Sequence, residues 1–377
     1  MVWGAERSLL GLAPLLRQLG VALTLASPTG ALSEAWSAAG FLHVEFPVTD
    51  RKGLRDDDGG RPGPAALAKE VAETLRTARR LARIARAYDV IHSNSLWAHL
   101  DCALAGRMAR RPVVLELHDL VRPGLGRRVQ RAAVRLASCT IAVSRAVAES
   151  VGGRPRNLHI VPQGVDPVRF QPGPPDASWR ARLSSDPDDP IIGVVGRVDP
   201  EKGIRTVLQA MTMLDGPAER SHLAVVGAPA LDDGSYEAEL QAEAAGMLGD
   251  RCRFVGPVDE VPVVLRSLDV LVNASTSEPF GLSVLEAQAC GVPVIGSASG
   301  GIPEFVTDGE TGLLVAPGRP DDLAAELNRL LATSGLRDDL RERARSGVVE
   351  RHTIAARAET VAHVYRSLTP VGTSAGR

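Results

Sequence analysis

The sequence is short of the features that mark membrane-spanning, secreted or metal-binding proteins. Its apolar runs stay well below the roughly 20 residues that a membrane-spanning helix needs. Glu6 and Arg7 interrupt the apolar start that a signal peptide requires. The cysteines are scattered and lack metal-ligand spacing: Cys102, Cys139, Cys252 and Cys290. We therefore expect reduced cysteines in the core of a cytoplasmic protein that holds no structural metal.

Aromatic residues are also scarce, at 3% of the chain. The basic clusters therefore lack the interleaved aromatics typical of nucleic-acid binders. Net charge is −2, but basic residues exceed acidic ones in the first 172 residues and the reverse holds afterwards. This asymmetry predicts that the first half contacts an anionic ligand or surface.

One basic row shares a helix face, because Arg127, Arg131 and Arg135 recur every four residues. Two interpretations stay open for this row. It is either the solvated side of an amphipathic helix or a peripheral contact to acidic lipid at the inner membrane face.

Short apolar, β-branched runs alternate with helical patterns along the chain, which is typical of parallel α/β sheets. The strands predicted in the first half are Val21–Ala26, Phe41–Phe46, Val90–His92, Val113–His118, Thr140–Val143 and His159–Val161. Those predicted in the second half are Ile191–Val195, Leu223–Val226, Arg253–Val255, Val270–Val272, Pro293–Gly296 and Gly312–Val315. Helices are predicted over Ala65–Ala87, Leu282–Cys290, Leu323–Leu331 and His352–Leu368. The apolar face predicted for the first of these helices contains Leu67, Val71, Leu75, Ala78, Leu81 and Ala85.

The length of 377 residues favours two domains. A Pro-, Gly- and Asp-rich stretch from Asp166 to Pro190 predicts the interdomain linker. We expect one domain over residues 1–172, a second over 173–351, a closing helix over 352–368 that packs back toward the first domain, and a disordered tail over 369–377. Two doubly wound domains in tandem imply a ligand in a central cleft, beyond the carboxyl ends of the strands.

Two carboxylates in the second half, Glu278 and Glu286, are the most informative residues of the chain. Pro279 and Gly281 predict a turn between them, followed by the helix Leu282–Cys290. A helix N-terminus suits an anion such as phosphate, and two acids beside it suit a group rich in hydroxyls. A nucleotide sugar fits both requirements. The alternative is two surface glutamates on an ordinary helix.

A second candidate segment follows the predicted strand Ile191–Val195 and contains Gly196, Arg197 and Lys202. Gly196 lets the backbone approach a ligand closely, and two cations five positions apart can clamp two linked phosphates. The alternative is a strand–turn–helix with two solvated cations. The glycine pair 300–301 is likewise suited to close backbone contact, unless it is only a tight turn.

Together these segments resemble the family-4 retaining glycosyltransferases of GT-B fold, the glycosyl transferases group 1. The matching pieces of the second half are VGRVDPEKG at 195–203, Gly256, EPFGLSVLEA at 278–287, GVPVIG at 291–296, GGIPE at 300–304 and TGLLV at 311–315. The first half adds GAER at 4–7, His92, LHD at 117–119, Val143–Ser144 and VPQGVD at 161–166. The resemblance covers nearly the whole chain.

The resemblance implies an α/β protein of two doubly wound Rossmann-like domains and a role for each matched residue. Glu286 is expected to bind the ribose hydroxyls of a nucleoside diphosphate sugar, with UDP favoured over GDP. Glu278 is expected to face the transferred hexose, and His118 to contact it near the reaction centre. Arg197 and Lys202 are expected to neutralise the diphosphate as it leaves.

Backbone groups complete the expected donor site. The residues concerned are Phe280, Gly281 and Leu282 at the helix start and the matched glycines Gly4, Gly196 and Gly256. The resemblance also implies a same-face mechanism in which the leaving phosphate takes the acceptor proton. We therefore expect no protein nucleophile, no metal and no cofactor, and the chain has no DxD-type Asp pair at a suitable strand end.

The chain departs from the family pattern at its start and at Gln163. Met1–Trp3 leads directly into Gly4, where the family has a full apolar strand. In a doubly wound sheet that strand is central, so we expect neighbouring strands to lose their partner. A misplaced start upstream of Met1 is the favoured explanation. Gln163 stands where the family usually has Asn, and we expect little consequence.

The missing strand leaves two further functions open. One is a catalytically impaired glycosyltransferase-like protein that binds a nucleotide or a partner, and the other is a sugar-nucleotide epimerase of the same fold. The acceptor is not identified, because the loops expected to select it, 50–64 and 122–126, carry no transferable signal.

Overall fold

The computed structural model describes residues 4–47, 63–153, 155, 157–184, 186–229 and 234–369. Residues 1–3, most of the loop predicted over 50–64 and nearly all of the tail predicted over 369–377 lie outside them. The chain divides into two compact units. The first comprises Met1–Gln163 and Ile354–Arg377, and the second comprises Gly164–Thr353.

The division falls earlier than the boundary predicted after residue 172. Residues 164–172 belong to the second unit because Arg345 holds them there, donating hydrogen bonds to the carbonyls of Phe170 (2.7 Å) and Pro167 (3.2 Å). The stretch predicted as linker is also more ordered than expected, since it contains the helix Ala177–Leu183. Asp176 begins that helix by accepting a hydrogen bond from the Trp179 backbone N–H.

Twelve strands run through the described residues: β1 (Thr24–Ser27), β2 (Leu42–Glu45), β3 (Ile91–Ser93), β4 (Val113–Leu117), β5 (Cys139–Ala142), β6 (Leu158–Ile160), β7 (Ile191–Val195), β8 (His222–Val226), β9 (Cys252–Gly256), β10 (Val270–Asn273), β11 (Val294–Ser297) and β12 (Leu313–Val315). The α-helices of the same residues are α1 (Gly4–Gln18), α2 (Ala31–Ala38), α3 (Pro64–Ala85), α4 (His99–Ala109), α5 (Leu125–Leu136), α6 (Arg145–Val151), α7 (Ala177–Leu183), α8 (Ile204–Met211), α9 (Ser235–Leu248), α10 (Val261–Arg266), α11 (Leu282–Ala289), α12 (Pro320–Ala332), α13 (Ser334–Arg351) and α14 (Ile354–Leu368).

The second unit is built on one parallel sheet with the strand order β12-β11-β10-β7-β8-β9. This is the doubly wound order, in which the chain starts at the centre and builds outward in both directions. The strands are apolar on both faces because helices cover both: Ile192, Val194, Leu223 and Val270 are all nearly inaccessible to solvent. The prediction of a doubly wound α/β domain is confirmed here.

The first unit has its parallel strands in two separate sheets. One contains β1 and β2, and the other has the order β3-β4-β5-β6. The break falls between β1 and β3, where a doubly wound sheet has its first strand. Among the described residues nothing pairs with these two edges, in agreement with the expected loss of a central strand.

Helix α14 belongs to the first unit although it closes the chain. It packs on α1 in a shared core that contains Leu12 and Leu16 from α1 and Val361 and Ala362 from α14. The predicted helix over Ala65–Ala87 is present as α3, but Leu67 and Val71 are about half exposed, at 43% and 52%. On the same predicted face, Ala78 and Ala85 are buried, at 0% and 3%, so the predicted face is buried in the later turns and exposed at Leu67 and Val71.

Candidate functional site

The side chain of Glu278 is the focus of a buried polar cluster in the second unit. Its Oε2 accepts hydrogen bonds from Lys202 Nζ (2.8 Å), Ser275 Oγ (3.0 Å) and Asn273 Nδ2 (3.1 Å). The structure gives Oε1 no hydrogen-bond partner among the described residues. Glu278 is only 7% exposed, so the interpretation of an ordinary surface glutamate is wrong.

The ionised form of Glu278 is favoured by this cluster. Burial alone would raise the pKa of the carboxyl, because it penalises the charged form. The Lys202 ammonium and the hydrogen bonds from Lys202, Asn273 and Ser275 outweigh burial, and they hold the pKa below its ordinary value. Glu278 is therefore ionised, with its charge offset by Lys202 and with Oε2 already accepting from three donors.

The glycine pair predicted to make a close backbone contact makes it with Glu278 itself. Gly301 N–H donates to the Glu278 carbonyl at 2.9 Å. Gly300 has a φ of +62°, and a Cβ there would lie 1.9 Å from the same carbonyl oxygen. The loop therefore fixes the backbone of Glu278, which is a more specific task than a tight turn.

Helix α11 begins directly after Glu278, as predicted. Gly281 precedes it with a φ of +99°, and no side chain caps its first turn. Phe280 is buried and stacks on Phe305 with ring centroids 4.9 Å apart. Glu286 lies one turn into the helix and is half-buried. The start of α11 thus presents backbone N–H groups without a competing side chain.

The segment after β7 carries two cations, Arg197 and Lys202, and Lys202 contacts Glu278. Gly196 has a φ of +153° with open space where a Cβ would stand. Arg197 is half exposed, and its guanidinium lies 3.5 Å from the Asp199 carboxylate. Asp199 also begins the 3-10 turn Pro200–Lys202 by accepting a hydrogen bond from the Glu201 N–H at 2.9 Å. One aspartate therefore orients Arg197 and starts the turn that carries Lys202.

Backbone contacts join this turn to the loop that leads to Glu278. Thr276 N–H donates to the Glu201 carbonyl at 2.8 Å. Gly203 has a φ of +65°, and a Cβ there would lie 2.1 Å from the Ala274 carbonyl. Any side chain at 203 would separate the two segments, so glycine is needed for Lys202 to reach Glu278.

Two further glycines were predicted to line the donor, one in each unit. Gly256 ends β9 with a φ of +77° and open space at its Cβ position. Gly4 begins α1 in the first unit and is exposed.

His118 follows β4 in the first unit and has both ring nitrogens engaged. Gln163 Nε2 lies 3.1 Å from Nδ1, and Asn94 Oδ1 lies 2.8 Å from Nε2. The amide must donate to Nδ1 because Ser8 Oγ donates to its oxygen at 2.7 Å, so the proton of the neutral ring is on Nε2. Gln163, expected to matter little, therefore sets the tautomer of His118.

Sequence reasoning missed several residues of these clusters. Asn273 ends β10 and Ser275 lies two residues beyond it, and this position at a strand end was the available signal. Asn94 and Glu116 lie at the corresponding ends of β3 and β4. Arg357 could not be found from the sequence, because it reaches its partners from the last helix.

The structure also describes the cysteines and the basic row. All four cysteines are free, and three of them are buried. The described residues contain no group of three or more His, Cys, Asp or Glu side chains placed to hold a metal ion, and no helix among them is long and apolar enough to cross a membrane. In the basic row on α5, Arg131 donates to the Val151 carbonyl at 3.3 Å, so one of its members also holds the end of α6.

Two family models match this chain. One, described as glycosyl transferases group 1, matches residues 176–347, and the other, glycosyltransferase family 4, matches residues 2–169. The two matches meet close to the division between the compact units.

Similar curated proteins are glycosyltransferases. A D-inositol 3-phosphate glycosyltransferase of Acidothermus cellulolyticus is 34% identical over 67% of this chain and 61% of its own length. A 2-deoxystreptamine glucosyltransferase of Streptomyces kanamyceticus is 32% identical over 71% of this chain and 73% of its own length. The chain spans between 45% and 61% of the first inositol phosphate relatives.

Solved structures agree in fold. HepE of Anabaena, crystallised with UDP and glucose, has a TM-score of 0.83 at 24% identity and covers 98% of this chain and 97% of its own. Sucrose-phosphate synthase of Thermosynechococcus elongatus has a TM-score of 0.76 at 25% identity over 95% of this chain and 92% of its own. The first likeness shows the fold alone. Together with the family models and the curated relatives, it shows that the chain belongs to glycosyltransferase family 4, the glycosyl transferases group 1, of GT-B fold.

Proposed function

We propose that this protein is a retaining glycosyltransferase that moves a hexose from a nucleoside diphosphate sugar, UDP in preference to GDP, to an acceptor hydroxyl. The observation that carries the proposal is the buried Lys202–Glu278 pair at the carboxyl ends of β7 and β10. A paired lysine and glutamate with one free carboxylate oxygen, next to an uncapped helix start, suits a ligand that combines phosphates with hydroxyls.

In this proposal, Lys202 and Arg197 bind the diphosphate of the donor. The Lys202 ammonium has three N–H donors and gives one to Glu278, so two remain for phosphate oxygens. Arg197 is half exposed and is oriented by Asp199. The charge that these cations meet grows as the bond between the anomeric carbon and the phosphate oxygen breaks, so they stabilise the transition state more than the ground state.

Glu278 binds the transferred sugar, and Glu286 binds the ribose of the nucleotide. The free Oε1 of Glu278 accepts from a sugar hydroxyl or stabilises positive charge that develops at the anomeric carbon. The backbone N–H groups at the start of α11, from Gly281 onward, contact the departing phosphate. His118 contacts the sugar through its ring, as the resemblance implies.

The same-face mechanism needs no protein base. As the bond to the leaving phosphate breaks, the acceptor oxygen bonds to the anomeric carbon on the same face and its proton passes to that phosphate. The diphosphate is thus both leaving group and base. We accordingly propose that transfer proceeds without a metal, and activity should be unchanged by EDTA.

The acceptor is proposed to be a cyclitol. The curated relatives are named for acceptors with a hydroxylated six-membered carbocycle, D-inositol 3-phosphate and 2-deoxystreptamine. A screen should therefore start with inositol phosphates and aminocyclitols, once the donor is known.

A panel of UDP- and GDP-sugars tests the proposal. Wild-type protein is incubated with each donor without acceptor, and released sugar and nucleotide binding are both measured. We expect hydrolysis of at least one UDP-sugar and a loss of about 100-fold in Lys202→Met, by analogy with the removal of one transition-state donor. Arg329→Gln on α12 removes an exposed cation that pairs with Glu326, and it should leave hydrolysis unchanged.

The alternatives predict other results. A catalytically impaired protein would bind nucleotide without releasing sugar, and an epimerase would return an isomerised sugar nucleotide. Absence of both hydrolysis and nucleotide binding would overturn the proposal altogether.

A further inference from the structure

A buried ion pair lies beside His118 in the first unit. Glu116, at the end of β4, and Arg357, on α14, are only 3% and 4% exposed, and the Arg357 guanidinium donates to Glu116 Oε1. Arg357 also donates to the carbonyls of Val161 and Pro162. The last helix therefore supplies a fixed cation to the carboxyl end of the sheet.

Glu116 shares its carboxylate with two histidines. Oε2 lies 2.9 Å from His92 Nε2, and Oε1 lies 3.4 Å from His118 Nε2. The other nitrogen of His92 faces the Tyr365 hydroxyl of α14. Because Glu116 and His118 are two residues apart at the end of one strand, their side chains leave the sheet on the same face.

A buried ion pair is by itself weak evidence for anything beyond folding, since apolar residues often stabilise a core equally well. The pair in this protein stands out because its carboxylate oxygen lies next to the ring nitrogen of His118 that carries the proton. A permanent cation beside the carboxylate opposes the effect of the carboxylate on the pKa of the His118 ring.

We propose that Arg357 and Glu116 are positioning residues for His118, and that the ion pair keeps the ring neutral with its proton on Nε2. This inference rests on the proposed function only in assigning His118 to the donor sugar. Neither Arg357 nor Glu116 touches substrate in this proposal.

The groups around His118 shift its pKa in opposite directions. Burial lowers its pKa, Glu116 and Asp119 raise it, and Arg357 and His92 lower it. Without the guanidinium, Glu116 would attract a second proton to the ring. A doubly protonated ring cannot accept the hydrogen bond from Gln163, and the ring would lose its present orientation.

The test is an NMR titration of the His118 ring in the full chain, with its signal assigned by loss in His118→Gln. Arg357→Met should move the His118 titration to higher pH, because Glu116 is left unopposed. Glu116→Gln should move it to lower pH, because Arg357 is left unopposed. The double variant E116Q/R357M should titrate near the wild type.

Two variants separate charge from folding. Arg357→Lys keeps the cation and should leave the titration near that of the wild type. Arg345→Met removes a half-buried arginine that donates only to carbonyls of the second unit, and it should lower stability without moving the titration. If Arg357→Met does not fold, Glu116→Gln and the double variant carry the test.

Opposite shifts that cancel in the double variant would establish the proposal. Unmoved titrations, or shifts of the same sign in both single variants, would overturn it. The titration needs no donor, so its outcome is independent of the donor-hydrolysis test of the proposed function. Where hydrolysis is found, the limb of its pH profile that reports His118 should move in the same directions.

Discussion

At the scale of single residues, the ionisation of Glu278 makes the stability of the second unit depend on pH. Three donors hold Oε2, and the pKa of the carboxyl lies below its ordinary value of 4.5. A carboxyl whose pKa is lower in the folded than in the unfolded state stabilises the fold above its unfolded pKa. That contribution is lost as pH falls through the folded pKa.

We predict that Glu278→Gln is less stable than the wild type at pH 7, because the half-buried Lys202 ammonium loses its charged partner. The difference should shrink as pH falls from about 4.5 toward the lower pKa of the folded carboxyl, because the unfolded chain takes up a proton in this range before the folded protein does. Urea unfolding of both proteins between pH 7 and pH 3.5 measures it. A difference that stays constant across this range would show that the carboxylate is not preferentially ionised in the fold.

Residue roles were only partly predictable. Glu278, Lys202 and Gly281 carried recognisable motifs, and the structure places the first two in contact. Asn273 and Ser275 were not predicted, because a polar residue after a strand is common and only the folded loop shows where it points. The role of Gln163 in orienting His118 was not predicted, because its partners, Ser8 and His118, lie far away in sequence.

At the scale of elements, the loop 299–301 sets the position of the loop before α11. Gly300→Ala would bring a Cβ to 1.9 Å from the Glu278 carbonyl at a φ of +62°. We predict a loss of about 3 kcal/mol or more in unfolding free energy, since strain and a backbone clash act together. Donor hydrolysis should fall as well, because Glu278 moves.

Gly309→Ala is the matched control. Its φ is +71°, but its Cβ position is open. It should cost only the conformational strain, about 1–2 kcal/mol, and leave hydrolysis near the wild-type rate. Equal effects of the two substitutions on hydrolysis would contradict the role assigned to the loop.

The 3-10 turn before α8 gives a second prediction at this scale. Asp199→Ala removes the hydrogen bond that begins the turn, so we expect a loss of about 1 kcal/mol and a higher KM for the donor. Asp199→Asn keeps an oxygen acceptor but loses the ion pair with Arg197, and it should raise KM with less loss of stability. Thermal unfolding and steady-state kinetics measure the two effects. If Asn destabilised the protein more than Ala, the capping role would be wrong.

The elements themselves were largely predictable. Every predicted strand is present within a few residues, because buried parallel strands read as short β-branched runs. Helix α13 was not predicted, since its buried face consists of Leu340, Ala344 and Val348 among many charged residues. Helix α7 was hidden in a stretch rich in proline and aspartate, which usually indicates a loop.

At the scale of the whole molecule, both the two-unit organisation and the family follow from sequence patterns. The return of α14 to the first unit was expected, but its chemical contribution through Arg357 was not, because no local pattern points to Glu116. Among the described residues, the strands of the first unit form two sheets, with the break between β1 and β3.

The central claim is that the protein is a retaining enzyme acting on a nucleotide sugar. Proton NMR of UDP-glucose during its slow hydrolysis, recorded before the released sugar mutarotates, tests this claim most directly. We predict that the first signal to appear is the α-anomer, that Lys202→Met suppresses it and that Arg329→Gln does not. First appearance of the β-anomer would contradict retention, and no release from any UDP- or GDP-sugar would contradict the enzymatic account.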